Sequence, residues 1–216
     1  MAMRAPAPAP AFTQVTAVLL ALDHQRIDVR AWAVGALSSA LARARSDTRP
    51  GIERLRHALQ DPAIEVRIAA TRALGRLGHQ AISASQMLLA CSQHENERLR
   101  LSSILALGRI GREAIPTMIA VLASEHCDAR RVAIVALTAN LSRVKGSIAA
   151  IGVVAALRSA LTDEDSQVRI RAAYGLGLLD EDSVEARPEL VEALGDDLMR
   201  VRHAAAWALD RIPETA

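Results

Sequence analysis

Aromatic side chains are almost absent from this 216-residue sequence, which contains two Trp, one Tyr and one Phe. Hydrophobic residues nevertheless make up 51% of the chain. A core of this composition must be built from Ala, Leu, Val and Ile on helices that approach each other closely. The composition therefore favours an all-α protein with narrow, repeated interfaces and argues against a β-sandwich or β-barrel.

Cysteine and net charge are also scarce. Two cysteines, Cys91 and Cys127, cannot form a disulfide framework and are typical of reduced thiols in a cytoplasmic protein. A net charge of +2 excludes a polycationic surface over the whole protein. The charge is uneven, however: residues 1–113 hold 15 Lys and Arg against 9 Asp and Glu, whereas residues 114–216 hold 11 against 15.

Long hydrophobic runs are missing as well. The apolar stretch "VTAVLLAL" is too short to span a bilayer and is not followed by a small-residue cleavage pattern. We therefore expect no membrane segment, no export signal and a cytoplasmic location. Residues 1–13 are predicted to be a flexible segment rich in Pro and Ala, and residues 14–213 to be a single domain.

The sequence does contain one pattern six times. An arginine, usually in a Val-Arg step, opens each copy of an Ala- and Leu-rich amphipathic segment such as "VRIAATRALGRLG". A second amphipathic segment and a short polar turn precede each copy, so every unit is predicted to be a helical hairpin. Spacings of 37, 33, 30, 39 and 33 residues separate the six arginines, which are Arg30, Arg67, Arg100, Arg130, Arg169 and Arg202.

Residues that begin and end helices lie at the boundaries of these hairpins. They are two prolines at helix starts, two side chains able to cap a first turn and two glycines at helix ends: Pro116, Pro188, Asn96, Asp165, Gly78 and Gly111. A single hairpin cannot bury its apolar face, but six stacked hairpins form one continuous core. The predicted fold is an α-solenoid.

The stretches "LQDPAIEVRIAATRALGRLG", "LTDEDSQVRIRAAYGLGLL" and "LGDDLMRVRHAAAWALDRI" resemble the HEAT-repeat family, specifically the short bacterial type also found in phycobilin lyases. The resemblance covers roughly residues 15–212. It implies a right-handed superhelix whose second helices line the concave surface. The motif is specific for architecture and carries little information on activity.

The resemblance also implies a ladder of ion pairs between neighbouring repeats, from an Asp in each turn to an Arg in each second helix. The matching residues here are Asp61, Asp163 and Asp196 with Arg67, Arg169 and Arg202. The third and fourth copies have His94 and Ser124 at the Asp position. We expect a weaker ladder at these two turns.

A helical wheel of the second helices places apolar side chains on the face that should be concave. Contiguous apolar surface marks interaction sites, and Tyr and Trp are frequent anchors there. We therefore predict that the protein is a scaffold that binds an apolar helix or an extended segment of another protein, with Arg131 and His203 at the edges of the site. The alternative is that these side chains pack as ordinary core. The predicted partner-binding residues are Leu101, Ile104, Leu105, Arg131, Ile134, Val135, Ile170, Tyr174, His203 and Trp207.

Catalytic, cofactor and metal sites are not predicted. The sequence has no Gly-rich phosphate loop and no Ser-His-Asp set, so we expect no enzyme activity and no cofactor. His94, His126 and Cys127 lie in polar turns without the usual zinc spacing, which leaves metal binding there open. The neighbouring His126 is expected to lower the pKa of Cys127.

Three other possibilities remain. Self-association could occur through the end repeats, which have only one neighbour. Handling of a phycobilin chromophore is implied by the resemblance alone. Nucleic acid could bind to an arginine patch in the N-terminal half, although charges spread over many turns are typical of ordinary solvated surfaces. That patch would consist of Arg43, Arg45, Arg54, Arg56, Arg76, Arg109 and Arg112.

Overall fold

The computed structural model describes residues 11–44 and 47–214 of the chain. Residues 1–10 of the predicted Pro/Ala segment lie outside this part, and the first helix begins at Ala11. The described residues contain no β-strand. Their twelve α-helices are α1 (Ala11–Ala21), α2 (Ile27–Arg43), α3 (Arg49–Ala58), α4 (Ile64–Leu77), α5 (Ser85–Cys91), α6 (Glu97–Ile110), α7 (Ile115–Val121), α8 (Cys127–Thr138), α9 (Ile148–Ala160), α10 (Ser166–Leu179), α11 (Arg187–Ala193) and α12 (Met199–Arg211).

The helices pair in chain order into six hairpins, which confirms the predicted all-α solenoid. The second helices of neighbouring hairpins pack against each other more extensively than the first helices do. The stack therefore curves with its second helices on the inner side. Ala, Leu, Val and Ile from all six hairpins form one continuous buried core. No helix in the described part of the chain is long and apolar enough to cross a membrane.

The predicted helix boundaries are present. The Asn96 side chain accepts a hydrogen bond from the Leu99 N–H at 3.1 Å, and the Asp165 side chain caps α10 in the same way. Gly78 and Gly111 end their helices with φ of 57° and 104°. Asp180 occupies the equivalent position after α10 with φ of 56°, where a non-glycine residue is strained.

All six turns inside the hairpins share one hydrogen bond. The side chain six residues before the repeated arginine accepts the backbone N–H two residues further on. His, Ser and Asp side chains can all accept this hydrogen bond, because each has a lone pair at a similar distance from its own backbone. These side chains, with their acceptor distances, are His24 (3.1 Å), Asp61 (2.8 Å), His94 (2.9 Å), Ser124 (3.3 Å), Asp163 (2.8 Å) and Asp196 (2.8 Å).

The repeated arginine stabilises the same turn through its guanidinium group. Its guanidinium donates to the two backbone carbonyls five and six residues earlier, with distances from 2.8 to 3.3 Å. These carbonyls would otherwise be left unpaired where the first helix ends. The arginines that do so are Arg30, Arg100, Arg130, Arg169 and Arg202.

An ion-pair ladder joins each of several arginines to the turn of the next hairpin. The predicted rung between Arg169 and Asp196 is present at 2.8 Å. Asp61 and Asp163 pair with the arginines of the preceding hairpins, Arg30 at 2.7 Å and Arg130 at 2.8 Å. These three pairs are largely buried, and each carboxylate also holds its own turn.

Two predicted members of the ladder form no ion pair. Arg67 belongs to the hairpin before the turn that has His94 in place of an aspartate, and its buried Nε has no hydrogen-bond partner. Arg202 donates to the carbonyls of its own turn, and no described turn follows it. At the Ser124 turn the expectation of a weaker ladder is wrong, because Arg100 pairs instead with Asp128 in the first turn of α8 at 2.6 Å.

Candidate binding surface on the inner helices

One repeat position on the inner helices carries an exposed large apolar side chain in each of four consecutive hairpins. Leu105 is 52% exposed, Val135 44%, Tyr174 40% and Trp207 36%. They occupy the same position in their repeats, five residues after the repeated arginine. We call these four residues the inner strip.

Two of the predicted binding residues, Ile104 and Ile134, are fully buried, so the expectation that they face a partner is wrong. They lie one residue before the inner strip, a position that is turned toward the next hairpin. The equivalent Thr71 and Ala173 are also fully buried. Ala206, the equivalent in α12, is exposed because no further hairpin covers it in the described part of the chain.

The remaining predicted residues flank the inner strip. Leu101 and Ile170 are half-buried, and Arg131 and His203 are exposed. Arg131 is not free, since its guanidinium forms an ion pair with Asp165 of the next hairpin. Its charge is therefore neutralised locally rather than available at the edge of the site.

Tyr174 and Trp207 form a supported aromatic pair. Their ring centroids are 5.2 Å apart with an interplanar angle of 61°, an edge-to-face contact. The Arg211 guanidinium lies 5.1 Å from the centroid of the Trp207 ring and donates to the Gly177 carbonyl at 3.1 Å. A Cβ atom on Gly177 would lie 2.6 Å from the indole, so the glycine makes room for the ring. The pair is thus held in place without a ligand.

The Asp165 side chain makes three interactions where α8 and α10 meet. It caps α10, pairs with Arg131 and accepts a hydrogen bond from the Cys127 thiol, whose Sγ lies 3.4 Å away. The Arg131 guanidinium lowers the pKa of Asp165 to about 2. Burial and the nearby carboxylate raise the pKa of Cys127, so the expectation that its pKa is lowered is wrong.

A second feature of the inner face was not predicted. Arg72 and Arg76 of α4 and Arg109 of α6 line an open cavity of about 330 Å³ beside Leu105. No ion pair or hydrogen bond joins their guanidinium groups to any other described residue. We call this site the basic cavity. Arg76 and Arg109 lie four residues after the position that defines the inner strip, one helical turn further along the same face.

The predicted N-terminal arginine patch is not one surface. Arg54 on α3 pairs with Asp23 at 2.6 Å, and Arg56 pairs with Glu53 at 2.7 Å. Two other members of the patch, Arg76 and Arg109, line the basic cavity on the inner helices. Arg45 lies outside the described residues. Arg43 and Arg112 are exposed and have no side-chain partner among the described residues, but they do not line the cavity.

The side chains considered as metal ligands form hydrogen bonds in the polar turns. The His94 Nδ1 accepts the Asn96 N–H at 2.9 Å, and Cys127 is bonded to Asp165. Within residues 11–44 and 47–214, no group of three or more His, Cys, Asp or Glu side chains is arranged to hold a metal ion.

Solved structures similar to this chain include engineered and designed proteins. An engineered protein solved by the Northeast Structural Genomics Consortium aligns over 92% of this chain and 96% of its own, with 20% identity and a TM-score of 0.59. A designed armadillo repeat protein in complex with the peptide (KR)4 aligns over 93% and 100%, with 16% identity and a TM-score of 0.60. Computationally designed armadillo repeat proteins for modular peptide recognition align over 92% and 100%, with 17% identity and a TM-score of 0.56.

No curated protein matches the sequence. The family model for HEAT repeats matches residues 15–91, 52–138 and 154–216. Between the second and third matched stretches lie the unmatched residues 139–153, which contain the short 3-10 turn Leu141–Arg143 and the start of α9. This segment accounts for the longest spacing in the repeat pattern, 39 residues. The six stacked hairpins and the family match agree: the chain belongs to the HEAT-repeat family.

Proposed function

We propose that this protein is a non-catalytic scaffold that binds a segment of another protein along the inner strip. The observation that carries the proposal is the regular exposure of one large apolar side chain in each of four consecutive hairpins. Solvent-exposed apolar residues scattered singly are normal, but a row on one face is typical of an interaction surface.

The aromatic pair supports the same proposal. Tyr174 and Trp207 pack against each other, and the Arg211 guanidinium lies over the indole. Gly177 has no side chain and so leaves room for the Trp207 ring. Anchors that are already ordered lose little conformational entropy when a partner binds. Tyr, Trp and Arg are also the residue types that dominate the binding energy of protein interfaces.

The spacing of the inner strip sets the register of the bound segment. Neighbouring inner helices lie about 10 Å apart. A segment in the polyproline II conformation rises about 3.1 Å per residue with about three residues per turn, so every third side chain would lie on the strip. A helix rises about 1.5 Å per residue and would use roughly every seventh. The designed armadillo proteins with the same architecture, one of them bound to (KR)4, were made for peptide recognition.

A selection of random 30-residue peptides on the immobilised protein tests the proposal. We expect enriched peptides with apolar residues at one of these two spacings, because the strip repeats once per hairpin. The same selection is run on the double variant Tyr174→Ala and Trp207→Ala. The matched control is the double variant Ile148→Ala and Ile151→Ala, which removes two apolar side chains, 89% and 71% exposed, from the first helix α9.

Loss of enrichment in the aromatic variant, with enrichment retained in the α9 variant, supports binding on the inner strip. Equal enrichment on all three proteins would place the binding surface elsewhere. Circular dichroism of each variant shows that the solenoid is intact, since all four substituted side chains lie on the surface.

A further inference from the structure

We infer that the basic cavity receives carboxylate side chains of the same bound segment, so that the partner is an acidic as well as an apolar peptide. This inference rests on the proposed function, because it assigns a second contact to the segment that lies on the inner strip. The basic cavity adjoins the strip directly, as Leu105 belongs to both.

The cavity is built by small residues at the contact of α4 and α6. A Cβ atom on Gly75 would lie 3.0 Å from the Ala106 Cα, so the two helices touch at this point. The same Cβ position lies 3.6 Å from the Arg109 Cδ, which shows that the aliphatic stem of Arg109 extends across Gly75 toward α4. Arg109 is thereby brought to the side of the groove that carries Arg72 and Arg76.

These three arginines differ from the paired arginines of the ladder. Arg30, Arg100, Arg130 and Arg169 are largely buried and paired with aspartate. Arg72, Arg76 and Arg109 are exposed and unpaired among the described residues. None of the eight residues that line the cavity is acidic. A guanidinium group binds a carboxylate through two parallel hydrogen bonds, so three of them around one cavity favour a segment with several Asp or Glu residues.

The opposite end of the solenoid is less favourable for such residues, because residues 114–216 hold 11 Lys and Arg against 15 Asp and Glu. Like charges brought together across an interface are unfavourable and suppress wrong orientations. An acidic and apolar segment should therefore bind in one direction, with its acidic part at α4 and α6 and its apolar part at α10 and α12.

The separation of the two contacts can be estimated from the stack. Three hairpin steps of about 10 Å separate the cavity from the aromatic pair, or about 30 Å. An extended segment covers that distance with about nine residues, and a helix with about twenty. The acidic and apolar parts of the partner should lie this far apart in its sequence.

A peptide fits the surface better than a nucleic acid does. Single strands are bound by aromatic side chains that stack on bases within a basic groove. No aromatic residue lines the basic cavity, and the surface beside it is apolar rather than basic. Three arginines would also neutralise only a few phosphates, which is little for binding at physiological salt.

The experiment is the same peptide selection, read for charge and repeated on the triple variant Arg72→Gln, Arg76→Gln and Arg109→Gln. The matched control, Arg43→Gln, Arg112→Gln and Arg200→Gln, removes the same charge from exposed arginines outside the cavity whose side chains likewise form no ion pair with a described residue. We expect peptides selected on the wild type and on the control to combine Asp or Glu with apolar residues at the predicted separation. Peptides selected on the cavity variant should keep the apolar residues and lose the acidic ones.

One selected peptide then gives the magnitude by fluorescence anisotropy. Replacing its acidic residues by Gln, or using the cavity variant, should weaken binding at least tenfold and reduce its dependence on salt. Making both changes together should add little more, because each removes the same interaction.

Three results would overturn the inference. Apolar peptides without acidic residues that still require Tyr174 and Trp207 would leave the proposed function standing and exclude the acidic contact. An acidic preference that persists in the cavity variant would place the contact elsewhere. Tighter binding of a 20-nucleotide DNA strand than of the peptide, lost in the cavity variant, would identify a nucleic-acid site instead. Failure to enrich any peptide would count against both proposals.

Discussion

Thr138 on α8 faces Gly175 on α10, the reverse of the arrangement at the other close contacts between inner helices. A Cβ atom on Gly175 would lie 3.1 Å from the Thr138 Cγ2 and 2.9 Å from the Leu157 Cδ1. Elsewhere a glycine on the earlier helix meets an alanine on the later one, as in Gly108 with Ala136, whose Cβ would be 2.9 Å from a Cβ on the glycine. At this contact the larger side chain, Thr138, is on the earlier helix and the glycine is on the later one. The two helices can still approach closely, because one of the two facing residues is glycine.

We predict that Gly175→Ala destabilises the protein although alanine favours a helix. Overpacking a close contact costs about 1–3 kcal/mol, which exceeds the helix propensity gain of about 1 kcal/mol. The free energy of unfolding, measured by urea denaturation, should fall by about 1 kcal/mol. In a Thr138→Ala background the same substitution should cost less, because the facing methyl group is gone. Equal costs in both backgrounds would show that the two residues are not coupled.

The gap in the ion-pair ladder gives a stabilising prediction. Arg67 is the repeated arginine of the hairpin that precedes the His94 turn, and its buried Nε has no partner. His94→Asp should restore the rung, because aspartate at this position accepts the same turn hydrogen bond and also pairs with the arginine of the preceding hairpin. A charge-assisted hydrogen bond to a buried group contributes about 1.5–3 kcal/mol. Urea denaturation should show an increase within that range.

His24→Asp is the matched control for the ladder. His24 accepts the same turn hydrogen bond, from the Arg26 N–H, but no hairpin precedes it among the described residues. This substitution should leave the free energy of unfolding nearly unchanged. A gain as large as that of His94→Asp would mean that aspartate acts through the turn itself and not through the ladder.

Asp165 should make stability depend on acid pH. Its folded-state pKa of about 2 lies below the ordinary value of 3.8, so the carboxylate stabilises the fold above that value and loses its effect as the pH falls through 2. The shift corresponds to about 2 kcal/mol. Asp165→Asn keeps a helix cap but removes the charge, and should cost about this amount at pH 7.

Urea denaturation of wild type and Asp165→Asn at pH 7, 4, 3 and 2 measures this effect. The difference between the two proteins should be constant from pH 7 to about 5 and shrink steadily toward pH 2. A difference that does not change with pH would assign the cost to lost hydrogen bonds rather than to the ion pair with Arg131.

Asp180 ends α10 at a backbone conformation that favours glycine. Its φ of 56° matches the 57° of Gly78 at the same repeat position. Asp180→Gly should stabilise the protein by about 1 kcal/mol through relief of strain. The ion pair of Asp180 with Lys145, 3.4 Å long and partly exposed, contributes little. Asp180→Ala keeps the Cβ atom and should give no such gain in thermal denaturation.

The hairpins, their caps and the solenoid could be predicted because they depend on residues close together in the sequence. The burial of Ile104 and Ile134 could not, since it depends on how far each inner helix is rotated toward the next hairpin. One signal was available: glycines recur at Gly75, Gly108 and Gly177, four residues after the buried position. Glycine at a repeated helical position indicates close approach of another backbone, and this would have marked the covered face.

The basic cavity was missed for a related reason. The helical wheel placed the residues one, four and five positions after the repeated arginine on the exposed face, whereas the inner face also includes the residue nine positions after it. Arg76 and Arg109 lie there, and so does Leu178, which is 47% exposed. Their separation from Arg72 and Leu105 is four residues, a spacing that can be seen in the sequence once the orientation of the helix is known.

Site-specific photo-cross-linking tests most directly whether the inner strip binds a protein. A benzophenone amino acid replaces Val135 on the inner strip or, as the control, Ile151 on the first helix α9, and each protein is irradiated in an extract of its source organism. The proposed function predicts a discrete cross-linked protein with the reporter at position 135, lost when Tyr174 and Trp207 are both changed to alanine. The same product from position 151, or one from position 135 that persists without the aromatic pair, would contradict it.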